Sequence, residues 1–230
     1  MTEPGPIIAS GRDGDIFEFG PGRVLRRARS GRVIEGEARV MSYAREHGYP
    51  VPEIHEVRAG GTEIVMERIE GPMMMDVMMR KPWLMAHYSR ELADLHDRLH
   101  VIPGPEWLPD AGGDRLVHLD LHPMNVMITA SGPVVIDWPN AARGEPLLDV
   151  ALTYILFTCP RMPGPDLLNA AMQPVRRLVA NTFAKRYRGR ELDRQLVKGA
   201  ALKMLDPNMS PDEVAAIERL GERARARASR

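Results

Sequence analysis

The chain has 230 residues, 44% hydrophobic and 27% charged, values that suit one large globular domain or two joined lobes and exclude a fibrous repeat or a disordered chain. Its formal charge is zero, but residues 1–159 hold 16 Lys/Arg against 23 Asp/Glu, and residues 160–230 hold 15 against 8. The single cysteine, Cys159, excludes an internal disulfide and a cysteine-rich zinc site, and no apolar run approaches the ~20 residues that span a bilayer. With no signal-peptide pattern after Met1, a cytoplasmic protein is expected. The basic excess reads as arginines on solvated helices, with an anionic partner as the alternative. Aromatic residues do not interleave with it as in a nucleic-acid groove, and with no spanning apolar run no membrane partner is expected either.

The first third reads as strands and turns. Pro6 to Ser10 is a short apolar run, and Gly11-Arg12-Asp13-Gly14 a turn. Asp15 to Phe19 alternates polar and apolar residues, as a half-buried strand does. Gly20-Pro21-Gly22 turns the chain into a third strand, Arg23 to Ala28. A helix is expected over 33–46, ended by Gly48 and two prolines. Strands over 53–58 and 62–67 flank Gly60-Gly61, a hairpin turn. These parts make a five-stranded sheet with one helix.

Gly71-Pro72 breaks the chain, and the pattern then turns helical. Residues 82–100 place Leu84, Tyr88, Leu92, Leu95 and Leu99 on one stripe. Residues 101–113 read as loop, 115–118 as a short strand, and 125–129 and 133–137 as a hairpin around Ala130-Ser131-Gly132. Helices are expected near 145–159, 165–186, 190–205 and 211–226. Met73, Met74, Met75, Met78, Met79 and Met85 cluster after the break, as core or as an adaptable pocket lining.

The chemistry gathers in His118-Leu119-Asp120-Leu121-His122-Pro123-Met124-Asn125, with Asp137 twelve residues on. Asp120 leaves a strand end on a loop, where a carboxylate meets substrate. A hairpin that folds back sets Asn125 beside Asp137. Two carboxylates and an amide oxygen form a hard-oxygen site suited to Mg²⁺. Phosphoryl transfer needs these parts, a metal to neutralise phosphates and a carboxylate to orient the attacking hydroxyl.

The pattern His118-x-Asp120-x-x-x-x-Asn125, followed by Val134-Val135-Ile136-Asp137-Trp138, resembles the protein kinase-like superfamily and most closely the aminoglycoside phosphotransferase family of small-molecule kinases. The resemblance implies an α+β, two-lobed protein kinase-like fold. Its N-lobe, residues 1–69, would be an antiparallel sheet with one main helix, and its C-lobe, residues 70–230, mostly helical. It implies ATP and Mg²⁺ as cofactors, Asp120 as catalytic base, and Asn125 and Asp137 as metal ligands. His118, His122 and Asp149 would support the catalytic loop. Gly11 and Gly14 would cover phosphates, and the main chain from Glu67 to Ile69 would meet adenine. The phosphate-binding lysine of kinases is absent; Arg26, or Arg27 facing the other way, takes its place, with Glu37 as its ion-pair partner.

The implied partner is a small molecule bearing a hydroxyl. The net basic C-terminal helices weigh against a polycationic aminoglycoside and leave a sugar, nucleoside, choline-like alcohol or macrolide in range. Two other readings stand beside this one. The absent lysine allows a pseudokinase that binds nucleotide or a partner. The alternation of His118, Asp120 and His122 allows a zinc-dependent hydrolase if those residues lie on a strand.

Overall fold

The computed structural model describes residues 3–11, 14–159, 166–207 and 209–229. The chain divides into two compact units. One is Met1–Met74 with Met124–Ala141, and the other is Met75–Pro123 with Ala142–Arg230. The sequence reading cuts the chain once, between 69 and 70; the units instead interleave, with the segment Met124–Ala141 grouped with the N-terminal part.

The first unit is built on an antiparallel sheet. Its strands are β1 (Ile7–Ser10), β2 (Gly14–Glu18), β3 (Arg23–Ala28), β4 (Ile54–Arg58) and β5 (Glu63–Glu67), in the order β1-β2-β3-β5-β4. The helix α1 (Glu35–Glu46) buries Ala38, Val40, Met41 and Ala44. Ala28, Ile34, Ala38 and Ile64 form one core cluster, and Phe19, Leu25 and Val65 form another. The alternation read from β2 and β3 thus separates the sheet's two faces.

A hairpin of β7 (Val126–Thr129) and β8 (Gly132–Val135) completes this unit. Thr129 pairs with Gly132, so the turn has two residues, Ala130 and Ser131, one fewer than the sequence suggests. The Val135 N–H donates to the Pro50 carbonyl, and the Ile128 N–H to the Pro72 carbonyl. Trp138 is buried edge-on against Tyr49. The break at Gly71-Pro72 therefore has a packing cause. Gly71 has φ +149°, and a Cβ there would fall 2.1 Å from the Ile128 carbonyl oxygen.

The second unit is mainly helical. It contains α3 (Met85–Leu99), α4 (Pro146–Thr158), α5 (Asp166–Phe183), α6 (Arg190–Lys203) and α7 (Pro211–Ala228). A further helix, α2 (Met74–Arg80), starts at the junction of the units and is not foreseen in the sequence. It buries Met74 and Met78 while Met79 stays exposed, so the methionine cluster is partly ordinary core. The α3 stripe buries Leu92, Leu95 and Leu99 as expected, but also Ser89 and His96. α4 packs on α5 and α6, and α6 on α7.

β6 (Asp110–Val117) is longer than the strand expected over 115–118 and pairs with β9 (Ala142–Gly144), a strand the sequence does not announce. Gly113 and Gly144 meet there with no space for a Cβ, which explains glycines in what reads as a loop. No helix among the described residues is long and apolar enough to cross a membrane.

Candidate active site

In the first unit, β3 presents Arg26 toward α1. Its Nη1 donates to Glu37 Oε2 at 2.6 Å, and its Nη2 lies 3.4 Å from Asp137 Oδ1. Glu37, only 7% exposed, also accepts from Arg32 at 3.0 Å. Arg27 faces the other way, pairing with Glu63 and lying over the Phe17 ring. Of the two candidate arginines, Arg26 is the one brought to Glu37 and Asp137.

Asn125 closes a short 3-10 turn (Pro123–Asn125), and Asp137 lies two residues beyond β8. Neither is inside a strand, as the sequence reading has them. Their juxtaposition survives because the Ile136 N–H donates to the Asn125 carbonyl at 3.0 Å. Asp137 adopts φ 66°, a left-handed conformation that only a few per cent of non-glycine residues take. Its carboxylate is 40% exposed, whereas Asn125 is buried.

The donor set fits a hard divalent cation. An amide and a carboxylate come from adjacent backbone positions, and the carboxylate has open space for phosphate oxygens and water. In that site Arg26 holds Asp137 by its side chain, a cation beside the carboxylate.

The remaining nucleotide candidates lie in the same unit. The Gly11 N–H donates to the Gly14 carbonyl at 2.9 Å. A Cβ at Gly14 would fall 2.4 Å from the Arg27 carbonyl oxygen, so strand packing alone demands glycine there. Nothing comparable constrains Gly11, and Arg12 and Asp13 lie outside the described residues. The Glu67 N–H donates to the Glu53 carbonyl and the Arg68 N–H to the Gly22 carbonyl. Among the described residues no hydrogen-bond partner is found for the Ile69 N–H.

The catalytic-loop candidates belong to the second unit. Asp149, fully buried near the start of α4, accepts from the His118 N–H at 3.0 Å and the Leu119 N–H at 2.8 Å. His100 Nε2 lies 3.0 Å from its Oδ2. Burial pushes the Asp149 pKa up, but the His100 hydrogen bond and the nearby charges of His96, His100 and His118 outweigh it and hold the carboxyl well below its ordinary range. Leu119 sits at φ 61°, immediately before Asp120. The loop is thus held in a sparsely populated conformation by a buried carboxylate.

Asp120 itself is bracketed. His122 Nε2 stands 3.8 Å from Oδ2, and Lys203 Nζ, at the end of α6, stands 3.9 Å from Oδ1. Burial drives the His122 pKa down to about 4, with His118 and Lys203 adding to the shift, so the ring is neutral near pH 7. Lys203 also lies 3.4 Å from Asp206 Oδ2.

Sequence reasoning missed Lys203, His96, His100 and Thr153. The Thr153 hydroxyl donates to the Leu121 carbonyl at 2.7 Å and lies 3.1 Å from His96 Nε2. The only sequence signal of His96, His100 and Thr153 is polarity within, or just after, the apolar patterns of α3 and α4, and Lys203 has none. His96, His100 and Asp149 are close enough to hold a metal. Asp149 already accepts two main-chain N–H groups and His100, which reads as a loop anchor.

The strand that a zinc-gripping His118-Asp120-His122 would require is absent. β6 ends at Val117, and the left-handed Leu119 breaks the alternation. Among the described residues these three form no metal-holding group.

Residues 79–173 match the profile of a phosphotransferase enzyme family. No curated protein matches the chain in sequence. Among solved structures, a thermostable mutant of aminoglycoside phosphotransferase APH(4)-Ia, in ternary complex with AMP-PNP and hygromycin B, has a TM-score of 0.66 at 17% identity, covering 98% of this chain and 94% of its own. The streptomycin–ATP ternary complex of APH(2")-IIa has a TM-score of 0.58 at 14% identity, covering 88% of this chain and 85% of its own. A choline/ethanolamine kinase family protein from Mesorhizobium loti has a TM-score of 0.53 at 14% identity, covering 96% and 87%. These likenesses give the chain a protein kinase-like fold.

Proposed function

We propose that this chain, which matches a phosphotransferase enzyme family over residues 79–173 and shares its fold with aminoglycoside phosphotransferases and related small-molecule kinases, moves the γ-phosphate of ATP to a hydroxyl of a small molecule. The observation that carries the reading is the Arg26–Glu37–Asp137 chain of charges beside the Asn125–Ile136 backbone bond. A cation and its buried counter-ion adjoin an open carboxylate there, one strand across from the amide-bearing Asn125, an arrangement that phosphate and metal binding would use.

In this reading Arg26 binds phosphate oxygens while Glu37 fixes its guanidinium plane. The Ile69 N–H and the neighbouring main chain from Glu67 meet adenine, and Gly11 and Gly14 cover the phosphates. Asn125 and Asp137 hold Mg²⁺, which when bound neutralises phosphate charge. Asp120 accepts the proton of the acceptor hydroxyl as that oxygen attacks phosphorus. Asp149 and His118 keep the loop in the shape that presents Asp120, and neutral His122 flanks it without adding charge.

The test is ATP turnover with excess Mg²⁺ across a panel of hydroxylated metabolites and antibiotics, for the wild type, Asp120→Ala and Asp137→Ala. The proposal expects metal-dependent turnover that both substitutions abolish. Turnover unchanged in Asp137→Ala would refute the metal role. Binding of Mg·ATP with no turnover above Asp120→Ala would return the pseudokinase reading.

A further inference from the structure

A second charged feature lies within the helical unit. α4, α5 and α7 enclose a cleft of about 330 Å³ whose lining includes Tyr154, Cys159, Arg177, Asn181, Arg219 and Arg223. Arg219 and Arg223 are four residues apart and so share one face of α7. Arg177 reaches the same cleft from α5.

These arginines differ from others in the basic C-terminal part. Arg186 pairs with Asp94 and Asp97 and Arg194 with Glu191, and Arg227, which lines the cleft as well, pairs with Asp193. Among the described residues Arg177, Arg219 and Arg223 have no acidic partner, although Glu218 and Glu222 share α7 with two of them. Three guanidinium groups on one cleft, none with an ion-pair partner of its own, repel one another, and a concave wall focuses their field. A counter-anion in the cleft relieves that repulsion.

No residue lining the cleft carries a negative charge, and Arg227, the fourth arginine there, is already paired with Asp193. Tyr154 donates its hydroxyl to Asn181 Oδ1 at 3.4 Å. Burial pushes the Cys159 thiol pKa up, so it stays neutral. The size of the cleft suits a small ligand rather than a chain, and the planar guanidinium fork matches phosphate oxygens two at a time. The site is also separate from the catalytic loop. α4 rises about 1.5 Å per residue, which sets Cys159 roughly 15 Å along the helix from the loop anchor Asp149.

We propose that this cleft is a binding site for a compact phosphate-bearing small molecule, held by Arg177, Arg219 and Arg223. The inference does not depend on the phosphotransferase reading, because none of these residues belongs to the catalytic or nucleotide machinery.

The experiment is thermal unfolding of the full chain with pyrophosphate, against sodium chloride at matched ionic strength. It compares the wild type with an Arg219→Gln/Arg223→Gln variant and, separately, with Arg177→Gln. Circular dichroism first establishes that each variant keeps wild-type helix content, and the single substitution serves if the double variant fails to fold. Pyrophosphate should raise the wild-type Tm by about 3 °C at saturation, and the variants should lose most of that rise. A wild-type shift no larger than that with chloride, or an equal shift in folded variants, overturns the proposal.

Discussion

Arg26 and Glu37 meet at 2.6 Å between β3 and α1, and the same guanidinium stands 3.4 Å from Asp137. One cation thus serves a buried glutamate and an open carboxylate at once. Glu37 cannot do without it. A carboxylate that is 7% exposed is costly to keep ionised unless cations surround it, and here Arg26 and Arg32 both do so. A residue read from sequence as a phosphate contact therefore has a structural duty as well.

The first prediction separates those two duties. Arg26→Met takes from Glu37 its shortest ion pair and should cost about 2–4 kcal/mol of stability by urea unfolding. Arg26→Lys keeps the charge but loses the fork that spans Glu37 and Asp137, and should cost about 1 kcal/mol. Equal stability of Arg26→Met and wild type would show that Glu37 does not need this partner.

Asp149→Asn tests the loop anchor. Asparagine keeps the shape but offers one oxygen where two accept, so its Nδ2 would face a main-chain N–H of His118 or Leu119. Leaving a buried donor unmet and removing the charge beside His100 should cost about 3 kcal/mol. Hydrogen exchange at the His118 or the Leu119 amide should also speed up, and unchanged rates at both would refute the anchoring role.

Much of the fold can be read in the sequence because its signals are local. Alternation in residues 15–19, the Gly60-Gly61 turn and the Leu92–Leu95–Leu99 stripe each lie within a few residues. What escaped depends on distant partners. β6 begins in a Gly-rich stretch and forms a strand only because β9 pairs with it. α2 is hidden by methionines, whose helical spacing is easily taken for a pocket lining. In the site, Asp120, Asn125 and Asp137 stand out by motif, whereas Lys203 reaches Asp120 through helix packing that no spacing announces. A glycine can also answer more than one demand. Gly14, which reads as a phosphate-loop residue, is already required by its contact with Arg27.

Gly71→Ala probes the break between the sheet and the helices. The new Cβ would meet the Ile128 carbonyl oxygen at 2.1 Å, and φ +149° is itself unfavourable for alanine. Backbone must move, because the obstacle is not a side chain that can rotate away. The substitution should lower stability by about 2–4 kcal/mol. A Tm within 2 °C of wild type, roughly the measurable minimum for a chain of this size, would show that the Gly71–Ile128 approach is loose.

Two depressed histidines set the pH dependence of stability. Burial lowers His96 to about 3 and His122 to about 4, against an unfolded value of 6.5. Between those values the unfolded chain binds more protons than the folded one, so stability rises with pH from about 4 to 6.5 and is lost as pH falls through that window. Each such group contributes a slope of up to about 1.4 kcal/mol per pH unit. Asp149, whose folded pKa is also lowered, adds a loss in the same direction, but only below about pH 4. His122→Asn should leave stability at pH 7.5 within about 1 kcal/mol of wild type while flattening the slope between pH 4.5 and 6 by up to one proton's share. A slope identical to wild type would mean that His122 titrates normally in the folded protein.

Lys203 offers the last test, and it depends on Asp120 being the base. At 3.9 Å from Oδ1 its ammonium favours the ionised carboxylate and restrains its orientation, and Asp206 at 3.4 Å keeps the ammonium in place. Lys203→Met removes that restraint without touching the residues assigned to nucleotide. It should therefore lower kcat for Mg·ATP turnover by roughly tenfold while KM for ATP stays within about twofold, the pattern of an interaction felt in the transition state. Lys203→Arg should recover most of the loss, since it returns the charge to the same place. Asp120→Ala is the control. If it abolishes turnover while Lys203→Met runs at the wild-type rate, Lys203 is a bystander. If Asp120→Ala retains full turnover, the base has been misassigned and Lys203 has nothing to position.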